Sequence, residues 1–192
     1  EVKDMPHKNL AFELLKKLLN DEISLRLKKN LIQGRSFREL LEKAIKRYQN
    51  KAIEAARIID ELIELAKEMR EASKRGEELN LNEEEVAFYD ALEVNDSAVK
   101  VLGDETLRMI ARELVQGIRN NLSIDWAIKE TVQAKMRVMV KKILRKHGYP
   151  PDKEQKATKT VLLQAVLLCK DWTQPDVPHD TWKAVEKSDL YF

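Results

Sequence analysis

The sequence predicts an all-α fold: a helical bundle with a long antiparallel helical hairpin and a C-terminal set of shorter helices. Three observations carry this reading. Glycine and proline number five each among 192 residues, under half the usual share, too few for the many turns of a sandwich or barrel. Apolar residues recur every three or four positions through most of the chain, the spacing of one helix face. No stretch alternates apolar and polar residues as a half-buried strand does.

The first helix is expected from about His7 to Leu31. Leu15, Leu19, Ile23, Leu27 and Leu31 recur every fourth residue, with Leu10, Leu14 and Leu18 beside them. Gly34 then interrupts. Ser36-Phe37-Arg38-Glu39 reads as a capping box, in which hydroxyl and carboxylate each satisfy an orphan backbone N–H.

It opens the most regular pattern of the chain. Phe37, Leu41, Ile45, Tyr48, Ala52, Ala55, Ile59, Leu62, Ala66 and Met69 step by three or four. That is close to a heptad seam on a helix of roughly 50 Å. Ala52 and Ala55 would admit a closely packed neighbour. The leucines of the first helix supply a partner within the chain, so a hairpin is favoured over an intermolecular coiled coil.

The long helix should end near Gly76. Asn82, with Glu85 three residues on, restarts a short helix through Val86, Phe88, Tyr89 and Leu92. Asn95 to Gly103 is a second break. Asp104 can cap a helix carrying Leu107, Ile110, Ala111, Leu114, Val115 and Ile118, which ends at Asn120-Asn121. Another helix should run from about Ser123–Asp125 to His147, closed by Gly148 and Pro150-Pro151. Asp152 with Gln155 then caps a last helix bearing Val161, Leu162, Ala165, Val166 and Leu168. The helical domain is taken as residues 1–171, and 172–192 as an extended tail or a remnant foreign to the domain.

Composition narrows the class further. Charged residues make up 35% and apolar ones 43%, with a net charge of +2, which is too apolar for a disordered chain. No apolar run approaches the roughly 18 residues of a membrane span, and no signal-peptide pattern opens the chain. A single cysteine, Cys169, excludes an intramolecular disulfide framework and fits a reducing, cytoplasmic setting. The first residue is Glu1 rather than Met, as expected for a piece of a longer chain or a processed end.

Catalytic chemistry finds no constellation here. The five glycines are scattered and none precedes a lysine, so they build no phosphate-binding loop. His7, His147 and His179 stand far apart, without a ligand pair at zinc spacing. Cys169 sits in an apolar run, where an inert thiol is expected. Glu77-Glu78 and Glu83-Glu84-Glu85 read as surface and helix-start runs. No catalytic, cofactor-binding or metal residue is assigned.

One segment is unbalanced. Between Trp126 and His147 stand seven basic residues and one acidic residue. Ile128, Val132, Met136, Met139, Val140, Ile143 and Leu144 cover one helix face, while Arg137, Lys141 and Arg145 line the opposite one. With Lys142 and Lys146 they make a candidate stripe for a phosphate backbone or an acidic protein surface. The plainer reading is a solvated face balanced by carboxylates folded near it. Trp126 and Tyr149 bracket this helix as candidate structural anchors, with core packing expected over exposure to a partner.

The stretch NNLSIDWAIKETVQAKMRVMVKKILRKHGYPP, from Asn120 to Pro151, resembles the C-terminal part of the R (motor and restriction) subunit of type I restriction–modification enzymes. HKNLAFELLKKLLNDEI, RSFRELLEKAI and LNEEEVAFYDAL extend the similarity to roughly Met5–Asp171. Asp125-Trp126, the basic run and Tyr149-Pro150-Pro151 are its most specific features.

The resemblance implies a parent subunit that uses ATP and magnesium to pull and cut duplex DNA. It also implies a fragment without cofactor or catalysis of its own. The partners implied are the methyltransferase and specificity subunits and the motor lobes of the same chain, with DNA backbone contact a further option. Docking to protein is preferred. The alternative is a free-standing helical nucleic-acid-binding or scaffold protein.

Overall fold

The computed structural model describes residues 8–50, 55–94, 96–121 and 130–173. Among these residues there are seven α-helices and no strand: α1 (Lys8–Lys29), α2 (Leu31–Gln49), α3 (Ala55–Leu79), α4 (Glu83–Glu93), α5 (Asp96–Asn121), α6 (Glu130–Lys146) and α7 (Pro151–Thr173). The all-α bundle expected from the sequence is the observed architecture.

The first three helices form an up-down-up unit. The Phe12 ring of α1 stacks on Tyr48 near the end of α2, with centroids 3.8 Å apart. Tyr48 also donates to Asn9 Oδ1 at 2.6 Å, so α1 and α2 are antiparallel. Arg47 meets Glu61 at 2.8 Å, which turns α3 back along α2. Late in α1, Arg26 donates to the Met69 carbonyl at 2.7 Å and to Ser73 Oγ at 2.6 Å. Phe12, Leu15, Leu19, Ile23, Phe37, Leu41, Ile58, Ile59, Leu62 and Met69 make the shared core.

Two expectations are corrected here. The first break falls at Asn30, not Gly34, and Ser36 lies inside α2 rather than capping it. Asn30 is extended (φ −135°, ψ 102°) and its side chain accepts from the Gln33 N–H, as an N-cap does. Gly34 serves close approach instead. A Cβ there would stand 2.6 Å from Leu27 Cγ.

The single helix expected across Phe37–Met69 is divided, with α2 closing at the Asn50 cap and α3 opening at Ala55. The hairpin partner of α1 is therefore α2. The seam is preserved because both helices turn it toward one core. Residues 51–54, including Ala52, lie outside the described residues.

The remaining helices build a second core around α4. Val86 through Leu92 are all buried, so α4 is enclosed on every side. Its start is the capping box read from the sequence: Asn82 accepts from the Glu85 N–H, and Glu85 accepts from the Asn82 N–H, each at 2.9 Å.

Before it, α3 runs past Gly76 to Leu79. It stops at left-handed Asn80 (φ 52°), where the Leu81 N–H donates back to the Gly76 carbonyl. The stretch 96–102, expected as a break, is helical, with a kink at Gly103 inside α5. The end at Asn120-Asn121 is observed. Pro151 is the first residue of α7, a position that needs no N–H. Asp152 therefore sits in the first turn instead of capping it.

A polar joint connects the two cores. Gln164 of α7, fully buried, donates to the Lys29 carbonyl at 2.7 Å and accepts from the Leu31 N–H at 2.8 Å. It thus satisfies the backbone opened by the break between α1 and α2. Asp90 of α4, 3% exposed, accepts from Asn30 at 2.6 Å, Gln33 at 2.9 Å and Arg75 at 2.7 Å. Arg75 also binds Glu93 and lies over the Tyr89 ring.

Candidate partner interface on the basic helix

The apolar side of α6 is anchored in the second core. Met136, Val140, Ile143 and Leu144 are buried, and Val132 and Met139 pack against them. The helix is closed as its sequence predicts. Gly148 adopts φ 71°, a left-handed conformation that costs glycine little. The Tyr149 N–H donates to the Leu144 carbonyl at 2.9 Å. Tyr149 then folds inward at 3% exposure, and its hydroxyl donates to the Leu92 carbonyl at 3.1 Å. Trp126 and the expected start of this helix lie outside the described residues.

The five candidate cations separate into two groups. Arg145 grips Glu154 of α7 with two bonds, Nε to Oε2 at 2.7 Å and Nη2 to Oε1 at 2.9 Å. That guanidinium holds the Glu154 carboxyl below the usual range. Lys146 donates to both oxygens of Glu113 on α5, at 2.8 and 3.0 Å, and His147 Nε2 lies 2.6 Å from Glu113 Oε2. His147 first, and Lys146 with it, hold the Glu113 carboxyl low. Arg145 and Lys146 thus clamp the end of α6 to its neighbours.

Arg137 and Lys142 are exposed and Lys141 is half-buried. None of the three has an ion pair with a described carboxylate, although the charge of Lys141 adds to that of Arg145 in holding the Glu154 carboxyl low. Val138 stands among them at 67% exposure. Beside this stripe, Glu113, Gly117, Asn121, Met139, Lys142 and Lys146 line a groove of about 350 Å³ between α5 and α6. The open face is therefore a mixed one, cationic with an apolar centre.

Sequence reasoning missed Glu113 and Glu154, since each lies on another helix and periodicity within α6 carries no trace of them. It also missed the exposure of Val138. Among the described residues no three His, Cys, Asp or Glu side chains could share a metal ion. No described helix is long and apolar enough to cross a membrane. Cys169 is buried, and burial pushes its thiol up to about 12.

Comparison with known proteins places these features in a family. The family described as "Type I restriction enzyme HindI endonuclease subunit-like, C-terminal" matches residues 1–171. The type I restriction enzyme HindI endonuclease subunit of Haemophilus influenzae is 37% identical over 172 residues, 90% of this chain and 16% of that protein. A putative type I restriction enzyme MjaIXP endonuclease subunit of Methanocaldococcus jannaschii is 37% identical over 149 residues, 77% of this chain and 14% of that protein. The chain thus spans about a sixth of the length of these relatives. No solved structure matches it. The chain belongs to the family of C-terminal regions of HindI-like type I restriction endonuclease subunits.

Proposed function

We propose that this chain is a non-catalytic helical assembly module of a type I restriction endonuclease subunit. In this reading the parent subunit uses ATP and magnesium to translocate and cleave DNA. The module docks to its motor lobes and to the methyltransferase core, which associates with the specificity subunit.

The observation that carries the docking role is the composition of the open face of α6. Arg137, Lys141 and Lys142 surround exposed Val138, on a helix fixed by its buried side and by the Arg145–Glu154 and Lys146–Glu113 pairs. Cations around an apolar centre suit an acidic, partly apolar protein surface. A phosphate backbone would use the charges and leave the valine in water.

The test replaces Arg137, Lys141 and Lys142 with alanine together. Capture of the methyltransferase should weaken, while DNA binding by the 192-residue chain stays poor for both versions. A wild-type log-affinity slope against log salt near −2.7, lost in the variant, would mean about three neutralised phosphates and a DNA role instead. Undiminished capture would overturn the docking reading.

A further inference from the structure

On the solvent side of α1, Leu10, Leu14, Leu18 and Leu25 are 57%, 40%, 55% and 58% exposed. Lys17, Asp21 and Lys28 are exposed on the same side. With 3.6 residues per turn, all seven fall within an arc of about 100°. That arc points away from Phe12, Leu15, Leu19 and Ile23, which are buried against α2 and α3. One exposed leucine is ordinary, whereas four on one face mark a contact surface.

The face has two edges. Leu14, Leu18 and Leu25 form one, while Leu10, Lys17, Asp21 and Lys28 form the other. Neither Lys17 nor Asp21 has an ion pair among the described residues. A free base and a free acid four positions apart, beside a leucine edge, make a surface complementary to itself.

We infer that this face pairs two copies of the chain, α1 against α1, antiparallel about a two-fold axis level with Leu19 and Asn20. Such an axis sets each edge against the same edge of the other copy. On the leucine edge, Leu14 of one copy stands level with Leu25 of the other, and the two Leu18 side chains meet beside the axis. On the charged edge, Lys17 of each copy comes within one residue of level with Asp21 of the other. The stem of Lys28 lies over Leu10 of the other copy, its ammonium in water. A parallel pairing would instead bring Lys17 level with Lys17 and Asp21 level with Asp21. Charge therefore sets the direction, and the leucines supply the affinity. One helix pair is a small interface for a specific complex, so the dimer should be reversible, with a Kd of about 1–100 µM. The basic stripe of α6 belongs to the other core, and the dimer does not depend on the docking role proposed for it.

The test is sedimentation equilibrium of the 192-residue chain between about 1 and 200 µM, which should show monomer and dimer in exchange. Asp21→Lys sets two lysines together across the axis, and Lys17→Asp sets two aspartates together. Each should weaken the dimer about tenfold or more. Combined in one chain they exchange the signs, and should restore the Kd to within about threefold of wild type. Leu18→Lys should abolish the dimer. All three positions are exposed, so circular dichroism should show the same helix content in every variant.

A monomer at every concentration would overturn the inference and leave the face to another partner. So would a dimer that survives Leu18→Lys, or a double charge variant no tighter than the single ones. A dimer lost only when Arg137, Lys141 and Lys142 are replaced would place the contact on α6, and would overturn it as well.

Discussion

Asn30 and Asp90 meet at 2.6 Å across 60 residues of sequence, both buried. One caps α2 in the first core and the other lies mid-way along α4 in the second. Burial pushes the Asp90 carboxyl above the usual range, against the opposing pull of Arg75, Asn30 and Gln33. Folding therefore raises its proton affinity relative to the unfolded chain. Ionisation costs stability as pH rises through the raised value.

Asp90→Ala should destabilise the chain by about 2–4 kcal/mol. It leaves the amides of Asn30 and Gln33 and one arm of Arg75 without their acceptor. Urea denaturation followed by circular dichroism measures this. A loss within about 0.5 kcal/mol, the range of an ordinary surface change, would contradict the role given to the joint.

Leu62 is fully buried in the first core. Leu62→Ala should cost about 2–5 kcal/mol, the removed side chain and the residual cavity together. The same titration reads it, and an unchanged midpoint would show that the three-helix core is not formed as described.

Gly34→Ala tests the packing at the start of α2. The added methyl meets Leu27 Cγ at 2.6 Å and Leu27 Cα at 2.9 Å, and the backbone atom cannot swing away. A loss of about 1–3 kcal/mol is expected, whereas an alanine that merely improved helix propensity would stabilise.

Acid should weaken the α5–α6 contact. Glu113 is held below its ordinary value of 4.5 by His147 and Lys146. Its contribution is complete above that value and is lost as pH falls through the lowered folded value. Wild type should therefore lose stability more steeply than Glu113→Gln as pH falls below the ordinary value of 4.5. Parallel curves from denaturation at stepped pH would exclude the pairing.

Legibility in the sequence followed distance along the chain. The Asn82–Glu85 box and the Gly148 stop were readable because every partner lies within a few residues. The break at Asn30 was not, since its competitors Gly34 and Ser36 looked equally suitable locally. The choice is decided by Asp90 and by Gln164, which lies 133 residues from Leu31. The division of the long seam near Asn50 escaped for a related reason: antiparallel helices facing one core keep the period that a single helix would show. On α6 the stripe itself was visible. Which cations remain open was not, because Glu113 and Glu154 arrive from α5 and α7.

The burial of α4 on all sides makes its register an all-or-nothing matter. A surface helix can absorb a one-residue slip by exchanging a few edge positions, but α4 has no spare face between Val86 and Leu92. Losing one residue would turn every later side chain by about 100°, swinging Asp90 away from Arg75 and Asn30 into hydrocarbon. The helix is keyed at both ends as well, by the Asn82 box and by the Tyr149 hydroxyl on the Leu92 carbonyl. It behaves as the axle of the second core, and the surrounding helices can drift in sequence only in ways that leave its rotation unchanged.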